Sequence, residues 1–259
     1  MSEPTYRTGI GTSTADTITL LGHDLARDLL GQVTFGELAF WLMTKRRPTP
    51  DQGAMFEAVL VALADHGFTP TALAARLTYT SAPESLQGAV AAGLLGGGSR
   101  FLGVTEDAAR FLGEALATRR SPPSDEAGWD ELAAEVIAGA KAAGRLVPGL
   151  GHPVHKVEDP RTPVLFDLAR RHGTYGDHLR LFAAVGRVHP EILGRTLPLN
   201  GAGVCGAVLA DLDVPVRVVR GVALLARCAG LVGHLAEEQA DPVGMDVYLS
   251  VDRNIDYRP

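Results

Sequence analysis

Two imidazoles and two cations fall within ten residues of one another in the stretch Pro148-Gly149-Leu150-Gly151-His152-Pro153-Val154-His155-Lys156, which Asp159-Pro160-Arg161 follows. Histidine exchanges a proton near neutral pH more readily than any other side chain. Lys156 can hold an anion as a point charge, and Arg161 can grip a carboxylate with two parallel N–H donors. Glycines at 149 and 151 let the backbone turn tightly and lie close to a ligand. The chemistry on offer is acid–base work beside an anionic substrate. The same residues also suit a solvated Gly/Pro turn, so the rest of the chain has to decide between the two.

The chain has 259 residues, 46% of them hydrophobic and 21% charged, which is enough for one large domain or two small ones with a true core. Aromatics make up only 6%, while alanine, leucine and glycine dominate, a composition suited to closely packed helices. The formal charge of −6 argues against a nucleic-acid or anionic-membrane partner. Cys205 and Cys228 stand alone in apolar runs and match no metal or disulfide spacing. With no leader pattern at its start, the sequence reads as a soluble, cytoplasmic protein.

The elements around the loop read as helices. Residues 1–35 are expected to be irregular apart from a helical pattern beginning near Leu25. Helical periodicity then runs over Phe35–Met43, Gln52–His66, Thr69–Leu77, Pro83–Leu95, Glu106–Thr118 and Trp129–Ala143, the last delivering the chain to the loop. Gly96-Gly97-Gly98-Ser99-Arg100-Phe101 is a flexible break. Beyond the loop come helices at about Pro163–His172, Asp177–Val188 and Ala202–Leu212. The longest runs from Pro215 to about Gln239 and is apolar on nearly every face, so it is expected to be buried all round. Its polar exceptions, Arg220, Arg227 and His234, are spaced by seven and therefore share one stripe. A buried arginine needs an anion, and either a structural carboxylate or the carboxylate of a ligand would serve. The last twenty residues read as an extended tail. His23, His172, His178 and His189 read as surface residues.

Taken together these segments resemble the citrate synthase superfamily, and within it the short citryl-CoA lyase-like members. The matching pieces occur in the family's order: Ala64-Asp65-His66-Gly67, Glu84-Ser85-Leu86-Gln87 through Leu95, the Pro148–Lys156 loop with Asp159-Pro160-Arg161, Leu197-Pro198-Leu199-Asn200, and Leu225-Ala226-Arg227-Cys228-Ala229-Gly230 through His234. The resemblance implies an all-α fold with a large domain, residues 1–103 plus 218–259, and an inserted small domain, residues 104–217. It implies a homodimer. It makes His152 the residue that moves a proton at the oxaloacetate carbonyl or citryl hydroxyl oxygen, and it puts His66 on the substrate dicarboxylate. Arg161 and Arg227, with Asn200 beside them, would bind the substrate's carboxylates. Val147, Pro148, Gly149, Leu150 and Gly151 would line the site of coenzyme A, a thioester substrate, with Lys156 near its phosphates. The implied ligands are thus a polycarboxylate and an acyl-CoA, with no metal.

Two positions depart from that pattern. Lyase-like members carry an aspartate in an Asn-Val-Asp-Gly turn, where it moves the proton at the acetyl-CoA methyl carbon; here the turn is Asn200-Gly201-Ala202-Gly203. Removing one positioned acid–base group costs typically about 10²–10⁴-fold in rate. Citrate synthases also hold a histidine near the position of Phe101, as the short lyase-like members do not. Cys205, three residues beyond Ala202, is either a core cysteine or a thiolate base. The expected function is therefore carbon–carbon bond cleavage or formation of the citryl-CoA type. The alternatives are a repurposed enzyme on the same scaffold, performing hydrolysis or decarboxylation, and a non-catalytic ligand-binding homologue. A metal bound by His152-x-x-His155 with Asp159 is a further alternative, weakened by the intervening proline.

Overall fold

A computed structural model describes residues 5–259 and is mostly helical. The segment expected to be irregular instead holds a small antiparallel sheet, β1 (Gly11–Ser13), β2 (Ile18–Leu20) and β3 (His23–Asp24), followed by one π-helical turn over Leu25–Leu29. Leu21 and Gly22 both take positive φ, which makes the two-residue turn that right-twisted strands prefer. Strands of two or three residues are too short to leave an alternation in the sequence.

The helices follow as α1 (Phe35–Thr44), α2 (Pro50–Ala64), α3 (Pro70–Ser81), α4 (Leu86–Leu95), α5 (Val104–Ala117) and α6 (Glu126–Ala142). Beyond the loop come α7 (Arg161–Arg171), α8 (Asp177–Leu193), α9 (Gly201–Asp211), α10 (Val216–Ala240) and α11 (Gly244–Asp252). Their starts are written in side chains. Thr49 and Thr69 cap α2 and α3, each with proline in the first turn, and Thr49 forms a reciprocal capping box with Gln52. The expected end of α8 at Val188 is corrected: the helix continues through Pro190 to Leu193 and ends on Gly194 in the left-handed region.

The main buried cluster joins Phe40, Met55, Phe56 and Val59 to Leu112, Leu132, Phe182, Val208 and Val222. α10 runs through the fold, with Val219, Val222, Ala223 and Ala226 on this cluster and Leu231 and Leu235 on a smaller one with Ala72, Ala75 and Ala89. Its expected burial on all sides is corrected, because Gly221, Ala229, Val232 and Gly233 form an exposed stripe of small and apolar residues. The expected extended tail is corrected as well. Glu238, ion-paired with the buried Arg76, accepts the Gly244 N–H at 2.7 Å and so anchors the start of α11, which packs on α3. The surface assignment of His189 also fails: it is buried, with Nδ1 on the Val185 carbonyl and Nε2 accepting the Leu197 N–H at 2.9 Å. His178 is partly buried against the Asp211 carboxylate.

Candidate active site

The glycine loop is stitched to the segment before α9. Gly151 N–H donates to the Pro198 carbonyl at 2.7 Å and Asn200 N–H to the Gly149 carbonyl at 2.8 Å, around an antiparallel bridge between Leu150 and Leu199. Asn200 completes the stitch with its side chain, donating from Nδ2 to the Gly151 carbonyl at 2.7 Å while Oδ1 accepts the Gly203 N–H and caps α9. Gly149 and Gly151 take φ of +83° and +91°, where side chains are strained. A Cβ on Gly203 would meet the Gly149 Cα at 2.5 Å. These glycines thus serve backbone packing, and the Gly151 amide is spent inside the protein. Val147 and Gly149 are buried, whereas Pro148, Leu150 and Gly151 keep partial exposure. Lys156 folds back, its Nζ 3.1 Å from the His152 carbonyl.

Three imidazoles meet at the loop's exit. His152 Nδ1 accepts two backbone N–H groups, from Val154 at 3.1 Å and His155 at 2.9 Å. A neutral ring so held carries its proton on Nε2. Burial, reinforced by the neighbouring His155, His66 and Arg161, lowers the His152 pKa to about 4 against the opposing pull of Asp159, so the ring is neutral at pH 7. His66, just beyond the C-terminal end of α2, places Nε2 3.3 Å from Nε2 of His155, and the His155 ring stacks on His152 with centroids 4.5 Å apart. Nitrogens of the three rings lie close enough together to suggest a cation site. However, His152 could ligate through Nε2 only by giving up the proton that its backbone contacts place there.

The arginines are partly spoken for. Asp159, fully buried, accepts Nε and Nη2 of Arg161 at 3.0 and 2.7 Å, together with the backbone N–H groups of Arg161 and Gly201. Against the penalty of burial, these contacts hold the Asp159 carboxyl far below the ordinary range and raise the Arg161 pKa. The two-donor grip expected from Arg161 toward a ligand is therefore already taken by Asp159. Nη1 reaches the Ala62 carbonyl, and the remaining N–H groups are left for the cavity. Arg227 is buried, and burial lowers its pKa; Nη1 lies 3.2 Å from Asp65 while Nε has no partner. Asp65, though exposed, also accepts from the Gly67 N–H and from His234 Nε2, which together with Arg227 lower its pKa against partial desolvation. His234 can donate there because its Nδ1 accepts from Arg76 Nε at 3.1 Å. Of the two partners envisaged for the buried arginine, the structural carboxylate is present in Asp65, and the Arg227 Nε has no partner among the described residues.

A cavity of about 360 Å³ is lined by His66, His152, Arg161, Arg227, Asn200 and Ala202, with Arg100, Thr69 and Thr71 among its polar wall and Leu63, Phe68, Phe101, Leu102 and Val104 among its apolar wall. Among the described residues, none that lines it is a carboxylate. Three guanidinium groups and two imidazoles lining one half-open cleft make a receptor for a multiply charged anion. The thiolate alternative at Cys205 is removed, since complete burial pushes its pKa up to about 12. Sequence reasoning missed Arg100, hidden in a glycine run, and also Asp159 and His155 as partners. The Asp-Pro-Arg and His-x-x-His spacings mark those two only as candidate metal ligands.

Other proteins share both the sequence pattern and the fold. The family described as citrate synthase, C-terminal domain, matches residues 14–245. The citryl-CoA lyase from Hydrogenobacter thermophilus superposes with a TM-score of 0.86 at 30% identity, over 98% of this chain and 94% of that one. The ATP citrate lyase from Methanothrix soehngenii in complex with citrate and coenzyme A gives 0.79 at 25%, over 93% of this chain and 40% of that one. A probable ATP-citrate synthase of Dictyostelium discoideum is 24% identical over 246 residues, which cover 89% of this chain and 38% of the relative. The chain spans about half or less of the length of such curated relatives. The all-helical architecture, the ordered motifs and a match across most of the chain agree: this protein belongs to the citrate synthase C-terminal-domain family and is built like its citryl-CoA lyase members.

Proposed function

We propose that the chain is an enzyme of the citryl-CoA type, making or breaking the carbon–carbon bond between the acetyl unit of a CoA thioester and an oxaloacetate-type dicarboxylate. The cavity carries this reading: three arginines and the His152 Nε2–H donor line one half-open cleft. In it Arg161 and Arg227 hold the carboxylates, with Asn200 fixing the floor between them. A neutral donor suits one half of the role expected of His152. It hydrogen-bonds the carbonyl oxygen of the dicarboxylate and polarises it, as preorganised donors do for developing oxyanions. Coenzyme A would reach the cavity along Pro148, Leu150 and Gly151, with Val147 and Gly149 shaping that strip from within and Lys156 swinging out to its phosphates.

Residues 104–217 would close over residues 1–103 and 218–259, and a second copy would cover the exposed Gly221–Gly233 stripe of α10 in a cytoplasmic homodimer. No metal takes part in the proposed step. Ala202 takes the place of the aspartate of other lyases. That substitution also favours a second reading, a repurposed enzyme that hydrolyses or decarboxylates its substrate, since no carboxylate faces the cavity among the described residues. The test is calorimetric titration with citrate, oxaloacetate, coenzyme A and acetyl-CoA, singly and in pairs, together with turnover of citryl-CoA. Paired binding and release of acetyl-CoA and oxaloacetate, both abolished in His152→Ala, are expected. Acid release without oxaloacetate would favour the second reading, and binding of nothing would overturn both.

A further inference from the structure

Citryl-CoA chemistry has to move one proton between an oxygen and a carbon, so it needs a group that accepts and returns a proton near neutral pH. Of the cavity's side chains, the arginines stay protonated and the threonines and Asn200 are not bases. Two imidazoles remain. His152 is held as a donor, because both of the N–H groups at its Nδ1 come from the backbone. That leaves His66, whose Nε2 is 3.3 Å from His155 Nε2 and whose Nδ1 has no hydrogen-bond partner among the described residues. The His155 ring stands edge-on behind it, with centroids 5.3 Å apart at 61°. An imidazole facing the substrate with a second proton acceptor behind it is the arrangement by which a base is oriented and its cation stabilised.

We infer that His66, oriented by His155, is the acid–base residue of this cavity and carries the proton that an aspartate at position 202 would have carried. The inference rests on the citryl-CoA reading and extends it. In the cleavage direction the hydroxyl proton of citryl-CoA passes to His66 Nδ1, and the O–H electron pair becomes the second bond of the oxaloacetate carbonyl. The carbon–carbon bond breaks, and its electron pair passes to the thioester enolate. The proton on His66 then moves to the enolate carbon and completes the acetyl methyl group. One proton leaves oxygen and arrives at carbon, the imidazole ends as it began, and no co-reactant is used. While His66 is cationic, its Nε2–H donates to His155 Nε2. His66 is thus a catalytic residue and His155 a positioning residue.

Citryl-CoA cleavage by the full chain and by His66→Ala, His66→Gln, His155→Ala and His155→Gln tests this. For both His66 variants kcat is expected to fall by about 10²–10⁴-fold, with free imidazole in the buffer restoring at least about tenfold to His66→Ala. For His155→Ala kcat falls about tenfold with KM changed less than about threefold, and glutamine, which keeps a hydrogen-bonding group there, recovers part of the loss. Turnover by both His66 variants within about threefold of the natural chain overturns the inference while leaving the citryl-CoA reading intact. A loss in His66→Ala that imidazole does not relieve, while His66→Gln stays active, also overturns it. No turnover by the natural chain, together with no binding of citrate and coenzyme A, overturns both.

Discussion

Replacing Asp159 with asparagine isolates one ion pair on which the cavity wall depends. The carboxylate is fully buried and accepts four hydrogen bonds, Oδ1 from the Arg161 backbone and Nε, Oδ2 from Arg161 Nη2 and the Gly201 N–H. An asparagine amide has one accepting oxygen, so in either orientation two N–H donors face an NH2 group and the arginine loses its counter-charge. Breaking a buried pair costs about 3–5 kcal/mol. The Arg161 side chain keeps 22% exposure, and water screens part of the loss, which favours the lower end at about 3 kcal/mol. At about 2–4 °C per kcal/mol for a chain of this size, Tm should fall by about 6–12 °C. The pH dependence has a fixed sign. The Asp159 carboxyl is held below its ordinary 3.8, so its contribution is complete above that value and disappears only as pH falls through its depressed folded value. Thermal unfolding followed by circular dichroism should therefore show a constant Tm gap between the two proteins from pH 8 to pH 5. A gap below about 2 °C at pH 7, or one that shrinks across that interval, would refute the reasoning.

Gly203→Ala puts a Cβ 2.5 Å from the Gly149 Cα and 2.7 Å from Phe182 Cζ, so it should cost at least the roughly 1–3 kcal/mol of an overpacked core. Gly139→Ala, in the last turn of α6 with nothing within 4 Å, should instead gain up to about 0.5–1 kcal/mol; urea midpoints of both variants check the contrast. Ala202→Asp adds a carboxylate in the first turn of α9, where the helix dipole favours it, so the fold should hold. Added to His66→Ala, it should restore measurable citryl-CoA cleavage, and no gain over the single variant would count against a shared proton-carrying role. The His152 pKa of about 4 lies below the ordinary 6.5 of an unfolded histidine, so the unfolded chain binds the proton first as pH falls. Stability attributable to this ring should decline from pH 6.5 to about pH 4 and then level off, and His152→Gln should flatten that part of a urea-midpoint profile.

Much of this arrangement is legible in the amino-acid sequence. Helices announce themselves through periodicity, and their starts through Thr-Pro pairs and Asn200. The arginine stripe on α10 points to a charge inside the fold, which is where Arg227 lies. What stays hidden has physical reasons. The N-terminal sheet is too short to show alternation. The exposed face of α10 has the same small apolar residues as its buried faces, so composition cannot tell one from the other. His155 reads as an imidazole or metal ligand of its own loop until the fold sets it against His66, 89 positions away. Asp159 looks like part of an Asp-Pro-Arg turn, and its weight comes from Gly201, 42 positions on, whose amide it accepts.

The stitch between the glycine loop and Leu199-Asn200 bears on when the cavity comes into being. Its short hydrogen bonds close a loop of about fifty residues, and such closures are formed late, because the ordering of the enclosed chain precedes any reward from the contact. The cavity wall adds His66 from upstream and Arg227 from downstream of that loop. On the ribosome, a chain that has not yet released α10 has the loop sequence complete but lacks the Arg227 wall of the cavity. The full set of cavity cations is therefore assembled only once α10 has emerged.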